Sequence, residues 1–467
     1  MLRTHNCGEL TVGDMGKEVT LCGWVHSRRD HGKLIFIDLR DRYGLTQVVF
    51  LPKQCPEAYE LARQLRSEFV VRLCGKVGER PKGTENLKIP TGRIEVAAQR
   101  LEILSSSDTP PFEIAADNEP TEEARLAFRY LDLRRDKMQE NILRRDKAYR
   151  SIRNFMAKQG FLEIETPILT RSTPEGARDY LVPSRVNPGS FYALPQSPQL
   201  FKQLLMASGM DRYYQIARCF RDEDLRADRQ PEFTQLDIEM SFAQEEDIFS
   251  LVEGVLGEMF KAVKGRDIET PFPRMTYKQA MEKHNTDKPD LREDKQGFSF
   301  VWVTDFPLFK YNVDEQRWES EHHPFTAPRE EDLEFLASRP QDARSRSYDL
   351  VLNGAEIGSG SIRIHRGDIQ EKVFSVIGLG PEVVKQRFGF LLKAFKFGAP
   401  PHGGFALGLD RLLAMLCGAK TIRDVIAFPK TQKASCLLTA APSAVDAGQL
   451  KELGLVEVES SRRAESM

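Results

Sequence analysis

Phe220-Arg221-Asp222-Glu223, followed after a charged loop by Arg229-Gln230-Pro231-Glu232-Phe233-Thr234-Gln235-Leu236-Asp237, carries more structural information than any other part of this chain. An arginine ends an apolar strand, and the returning strand alternates polar with apolar. Alone, Arg221 reads as a surface salt bridge. Together with Arg229, Gln230 and Phe233, the run Arg221-Asp222-Glu223 supplies a cationic clamp, a loop that can close and an aromatic face. A second arginine stands far downstream in Gly404-Phe405-Ala406-Leu407-Gly408-Leu409-Asp410-Arg411, where a small-residue strand runs into a helix. A guanidinium is planar, permanently charged and matched to phosphate oxygens, so two of them on rigid elements suit a triphosphate.

The flanking sequence divides into domains. Residues 1–105 hold Val19–Val25, Leu34–Asp41, Leu45–Phe50, Phe69–Val77 and Ile94–Val96 as strands, with one helical stretch at Glu57–Leu65. Five strands and a helix suit a small Greek-key barrel of the OB type, with another small β domain as the alternative. Residues 106–140 read as a linker: Ser106-Ser107-Asp108-Thr109-Pro110-Pro111, then a charged helical segment at Glu122–Arg135. From 141 to 455 strands and helices mix. A helical stretch at Asn141–Gln159 precedes a strand set opened by Phe161–Pro167, and Phe300–Val303, Tyr348–Leu352 and Ser361–Ile364 are further strands. The order lacks regular βαβ repeats, so the class is α+β, with a mainly antiparallel sheet flanked by helices. Residues 456–467 read as a polar tail.

Bulk properties narrow the function. The 467 residues carry a net charge of −2, which leaves room for a local basic face on an ordinary soluble protein. No apolar run approaches the ~20 residues that span a bilayer, and Met1-Leu2-Arg3-Thr4-His5-Asn6 has no apolar core. The seven cysteines are scattered, odd in number and never in a C-x-x-C pair, which fits reduced cytoplasmic thiols. Asp349 and Glu356 flank an Asn353-Gly354 turn. They are a solvated hairpin edge, or carboxylates for magnesium beside nucleotide phosphates. The small residues of Glu356-Ile357-Gly358-Ser359-Gly360-Ser361 favour the second reading, because they let a ligand approach the backbone. His322 and His323 are adjacent and so point apart on an extended chain, which makes chelation by both poor.

These segments resemble motifs 2 and 3 of the class II aminoacyl-tRNA synthetases, and nearly the whole chain is similar to the bacterial-type aspartyl-tRNA synthetases. The resemblance implies activation of L-aspartate with ATP and Mg2+, then transfer to the 3′ end of tRNA(Asp). It implies that Arg221 holds the α-phosphate and the substrate carboxylate, that Phe233 and Arg411 sandwich adenine, and that Asp222, Glu223, Gln230, Glu356, Gly408, Leu409 and Asp410 complete the ATP site. Asp349 and Glu356 become the metal carboxylates. Glu175, Gln199, Lys202, Asp237, His322 and Arg363 become, with Arg221, the aspartate site, with Lys202 and Arg363 on the side-chain carboxylate. In residues 1–105, Arg29, Phe36 and Gln47 become anticodon readers. His31 and Gly83 look like the relaxed group that also charges tRNA(Asn), against a discriminating enzyme for tRNA(Asp) alone. Phe161–Pro167 matches motif 1, which implies a homodimer. One departure stands out. Asp287–Arg292 passes through the short link Glu293-Asp294-Lys295-Gln296-Gly297 into Phe298–Val301, so the large bacterial insertion expected near 292–298 is absent. Rival readings are an asparaginyl or lysyl enzyme, disfavoured by Lys202 with Arg363; an asparagine-synthetase-like paralogue, whose family lacks the OB domain; and a non-catalytic RNA-binding module, disfavoured by the two motif arginines.

Overall fold

The structure is a computed structural model, and it describes residues 1–115, 118–173 and 177–456. The chain separates into two compact units, Met1–Glu140 and Asn141–Met467. Glu175 and the tail segment from Glu457 to Met467 lie outside the described residues.

The first unit is a closed barrel in the order β1-β2-β3-β5-β4, built from β1 (Glu18–His31), β2 (Leu34–Asp41), β3 (Gly44–Phe50), β4 (Val70–Glu79) and β5 (Ile94–Ser105). The helix α1 (Pro56–Ala62) sits between β3 and β4 in sequence and starts with proline, whose missing N–H costs nothing there. Alternation decides the two faces of each strand. Leu21, Val25, Ile37, Leu39, Val48, Leu73 and Val96 fill the interior. Arg29 and Phe36 stand opposite each other on β1 and β2, and Asp38 stands opposite Gln47 on β2 and β3. The expected helical run at Glu122–Arg135 is two pieces, α2 (Glu122–Ala127) and α3 (Arg129–Asp132), broken at Phe128, whose ψ of 45° leaves the helical region.

The second unit begins within α4 (Asp136–Lys158), whose Ala148, Ile152 and Met156 pack into its core. Its strands are β6 (Leu162–Glu163), β7 (Leu181–Pro183), β8 (Phe191–Ala193), β9 (Arg212–Phe220), β10 (Glu232–Ser241), β11 (Arg274–Thr276), β12 (Phe300–Thr304), β13 (Phe309–Asn312), β14 (Arg317–Ser320), β15 (Ser347–Leu352), β16 (Ala355–Ile362) and β17 (His402–Gly408). The helices are α5 (Gln199–Ala207), α6 (Glu245–Lys264), α7 (Tyr277–His284), α8 (Gly367–Val376), α9 (Pro381–Phe395), α10 (Leu409–Cys417) and α11 (Ala447–Glu452). Eight strands form one sheet, β11-β12-β15-β16-β17-β10-β9-β6, antiparallel except at its two edge pairs. Two expectations shrink. The strand in Phe161–Pro167 is only Leu162–Glu163, which pair in parallel with Tyr213 and Tyr214. The strand expected at Ser361–Ile364 ends at Ile362, so Arg363 lies just beyond it.

The sheet has one apolar and one polar face. Leu236, Ile238, Phe405, Leu407, Tyr348 and Leu350 turn into a core shared with Phe249, Val252, Leu256 and Leu413. The residues between them form rows across the opposite face. Gln215, Asp237, Ala406, Ser359 and Asp349 are successive cross-strand partners, as are Tyr213, Glu239, Gly404, Ser361 and Ser347. Gly404 is required where it stands, since a Cβ there would overlap the Glu239 carboxylate. A bulge between Leu350 and Val351 shifts the register by one. Ile357 therefore packs into the core and Glu356 joins the polar face. On the far side of the short link, Arg292 donates to Asp290 at 3.0 Å and to the Lys295 carbonyl at 2.8 Å, while Asn353 holds Ser299 N–H at 2.8 Å and the Gly297 carbonyl at 3.0 Å.

Candidate active site

A cavity of about 650 Å3 opens on the polar face of the large sheet. Its floor is a buried ion cluster. Lys202 Nζ lies 3.0 Å from Asp237 Oδ2 and 3.3 Å from Glu239 Oε2. Arg363 meets Glu239 side-on, Nε to Oε1 at 2.9 Å and Nη2 to Oε2 at 3.1 Å. All four side chains are at most 2% exposed. Alternation on β10 puts both acids on one face, and α5 brings Lys202 over them with Gln199 on the same side of the helix. Arg363 also donates to His323 Nε2 and Ser361 Oγ, each at 2.7 Å. The expected aspartate residues Gln199, Lys202, Arg221, Asp237, His322 and Arg363 all line this one cavity.

Three buried polar atoms of cavity-lining residues have no hydrogen-bond partner among the described residues: Asp237 Oδ1, Arg221 Nε and His322 Nδ1. Leaving such groups unpaired costs about 1–3 kcal/mol each, more for charged ones, and at a cavity wall that cost marks a ligand's place. Arg221 follows β9 directly and lies 5.1 Å from the centre of the Phe233 ring. Among the described residues it makes no ion pair. Burial pushes Asp237 up to about 6 against the pull of Lys202. Glu239 goes the other way: burial raises it, but the charge of Arg363 and then of Lys202 hold it below the ordinary glutamate value. The difference follows from geometry, since Glu239 has two cations and Asp237 has one.

At the other end Arg411 donates to the Glu356 carbonyl at 2.6 Å and to Asp228 at 2.8 Å, and Arg229 pairs with Glu223 at 3.0 Å. Lys288, from the segment before the short link, reaches Glu356 at 3.1 Å. Glu356 is raised by burial first and then by the nearby Asp349 charge. Two carboxylates this close fit a cation, and the Lys288 ammonium occupies that role at Glu356. Among the described residues no group of three or more acids, histidines or cysteines gathers for a metal, so a divalent ion would take two protein carboxylates plus ligand oxygens. Asp349 is buried beside the wall, and His322 Nε2 lies 3.3 Å from it. Burial pulls the His322 pKa down, but its hydrogen bond to Asp349 and the charges of Asp349, Glu321 and Glu356 together outweigh this and leave it raised.

Of the expected ATP residues, Arg221, Glu223, Gln230, Phe233, Glu356, Gly408, Asp410 and Arg411 line the cavity, while Asp222 and Leu409 do not. Leu409 packs in the hydrophobic core and does not line the cavity. Asp222 also lies off its wall, its N–H donating to the Arg178 carbonyl at 3.1 Å. Asp410 accepts Thr234 N–H at 2.7 Å and pairs with Arg145 at 2.5 Å, locking α10 to β10 and α4. Gln230 clasps the Lys430 backbone at 2.7 and 3.0 Å. Gly408 lines the cavity. The sequence reading missed Glu239, Lys288 and His323. Glu239 stands two residues after Asp237 on the same strand face.

In the barrel unit Arg29, Phe36 and Gln47 come together. Arg29 Nη2 is 3.3 Å from Gln47 Oε1 and 2.9 Å from Asp38, and Gln47 Nε2 donates to Glu95 at 2.8 Å. Phe36 is half-buried, with the His31 ring edge-on at 6.4 Å. His31 is the last residue of β1, where a loop position was expected. Gly83 lies between β4 and β5 with φ of 83° and open space around it.

No helix among the described residues is long and apolar enough to cross a membrane. Residues 19–104 match the OB-fold nucleic acid binding domain. The aspartate–tRNA(Asp/Asn) ligase of Syntrophomonas wolfei is 46% identical, covering 97% of this chain and 99% of that one; that of Dictyoglomus turgidum is 45% identical, covering all of both. The first alignment runs over 581 positions against 467 residues, so at least 114 positions of it face gaps in this chain. Among solved structures, asparaginyl-tRNA synthetase of Pyrococcus horikoshii superposes with a TM-score of 0.75 at 23% identity, covering 92% of this chain and 99% of that one. Aspartyl-tRNA synthetase of Entamoeba histolytica does so at 0.72 and 22%, covering 90% of each. The family described as tRNA synthetases class II (D, K and N) matches residues 121–432, and with these relatives it places the chain in that family.

Proposed function

We propose that this chain is an aspartate–tRNA ligase, working with ATP and Mg2+ as a cytoplasmic homodimer. The observation that carries the substrate reading is that two of the unpartnered buried atoms at this cavity are charged and of opposite sign, an anion receptor on Arg221 and a cation receptor on Asp237. An α-amino acid presents those two charges. Lys202 and Arg363 against Asp237 and Glu239 sum to zero, and Arg221 adds one positive charge. L-Aspartate, at −1, neutralises that total. Asparagine, at zero, does not, and its amide leaves a guanidinium N–H without an acceptor.

In the first step the α-carboxylate oxygen attacks the ATP α-phosphorus, the bond to the bridging oxygen breaks, and pyrophosphate leaves. Arg221 neutralises charge on the α-phosphate and orients the attacking carboxylate. Phe233 and Arg411 flank the base. Asp349 and Glu356 would hold Mg2+, which supplies charge neutralisation on the phosphates. In the second step a terminal ribose hydroxyl of tRNA attacks the adenylate carbonyl and AMP leaves. Arg29, Phe36 and Gln47 read the anticodon by stacking and hydrogen bonding.

The relatives' names support a relaxed acceptor choice, with His31 and Gly83 contributing to it. Labelled aspartate offered with tRNA(Asp) and with tRNA(Asn) tests this directly. Charging of both is expected; charging of tRNA(Asp) alone would make the enzyme discriminating, and charging of neither would overturn the proposal.

Phe36→Ala is expected to raise the KM for tRNA by about five- to 150-fold, since base–aromatic stacking contributes ~1–3 kcal/mol. ATP–pyrophosphate exchange should be unchanged, and a parallel loss there would refute the division of labour. The ammonium of aspartate needs ionised Asp237, whose folded pKa is raised to about 6. The KM for aspartate in exchange should therefore climb about tenfold per pH unit below that value. The free amino acid keeps its charge over this range, so the change belongs to the protein. Burial of the charge means this group lowers stability as pH rises from the ordinary aspartate value through about 6. Asp237→Asn should abolish the KM slope.

A further inference from the structure

We infer that Gln203 and His402 form a polar relay that fixes which way the Gln199 amide faces the cavity, which makes them positioning residues for recognition of the substrate ammonium. The relay starts at a group with one possible role. The Pro400 carbonyl can only accept, and His402 Nδ1 lies 2.7 Å from it, so Nδ1 carries the hydrogen. His402 is fully buried, and burial holds it below its ordinary pKa, so the ring is neutral and Nε2 accepts. Gln203 Nε2 is 3.2 Å from that nitrogen and donates to it. Gln203 Oε1 must then face the other way, where Gln199 Nε2 donates to it at 3.1 Å. Gln199 Oε1 is left as the atom for the cavity, which Asp237 also lines. Two oxygen acceptors, one a carboxylate, suit an ammonium, while a flipped Gln199 would present N–H groups to a cation. Gln203 and His402 are both fully buried and neither lines the cavity, so they act only through Gln199. Their placement follows from the fold: Gln199 and Gln203 are one helical turn apart on α5, and His402 opens β17.

This rests on the proposed reading of the cavity as an aspartate site. The test uses the full-length enzyme in aspartate-dependent ATP–pyrophosphate exchange with five proteins: wild type, Gln199→Ala, Gln203→Met, the double variant of these two, and His402→Gln. Gln203→Met keeps the volume and removes the lock. Losing a well-aimed hydrogen bond to a charged group should raise the KM for aspartate about tenfold, with the KM for ATP and kcat within about twofold. In the Gln199→Ala background Gln203→Met should add nothing. His402→Gln, which can donate to Pro400 and accept from Gln203, should stay near wild type. A Gln203→Met effect that persists in full without Gln199, or a Gln203→Met protein with unchanged aspartate KM, would overturn the relay. If wild type itself shows no aspartate-dependent exchange, the functional reading fails, which is a different outcome.

Discussion

Arg221→Ala is expected to lower aspartate-dependent ATP–pyrophosphate exchange by about 10³-fold, with little change in melting temperature. The first half follows from position. Arg221 directly follows β9 and lies beside Phe233, and among the described residues no carboxylate neutralises it. Removing one preorganised donor from a charge-developing centre costs about 10²–10³ in rate, and a guanidinium that also holds the attacking carboxylate adds to that. The second half follows from the same position, since among the described residues this side chain makes no ion pair and its ring contact is with Phe233. Most arginines in this protein would behave differently. Arg363→Ala, for example, strands Glu239. Exchange assays and thermal melts on the same preparation separate the two quantities, and near-normal exchange would remove Arg221 from the phosphate site.

Glu239→Gln should have the largest effect on stability. It leaves Lys202 and Arg363 with Asp237 as their single anion, at positions fully closed to water. Breaking a buried pair from one side costs about 3–5 kcal/mol, a large share of the 5–15 kcal/mol that holds a domain folded. Denaturant unfolding at neutral pH measures it. The native Glu239 pKa is depressed, so its contribution is present above the ordinary glutamate value and is lost as pH falls below it. The gap between wild type and variant should close in acid. Adding Arg363→Met to Glu239→Gln removes the stranded charge and should recover most of the stability while aspartate activation stays lost. Recovery of activity in that double variant would show that Arg363 does not meet the substrate.

The parts of this protein legible in its sequence were those set by local period and by motif. The alternation in β1 to β5 gave the barrel, and the arginines of the two strand motifs do line one cavity. What stayed hidden depended on register across the sheet. Glu239 is one more acid in Leu236-Asp237-Ile238-Glu239 until its strand is laid beside Gly404, which alone makes room for it. Glu356 and Ile357 exchange faces through a bulge that no pattern in Ala355–Ile362 announces. Leu409 looked like part of a ligand site because it sits between Gly408 and Arg411, yet a helix turns each neighbour about 100° away. His323 and Lys288 reach the site from loops, where periodicity carries no information.

The short link between Arg292 and Gly297 has a consequence for engineering. Arg292 grips both Asp290 and Lys295, and Asn353 holds the Gly297 carbonyl and Ser299, so the ends of the link are anchored independently of what lies between them. For anchored ends the entropic penalty of a longer connection grows only with the logarithm of its length, ~0.6 kcal/mol per doubling. The link is thus a port: a whole folded module spliced between Lys295 and Gly297 should leave the melting transition of the host nearly where it was, and a reporter domain placed there would ride beside Lys288 at the mouth of the cavity.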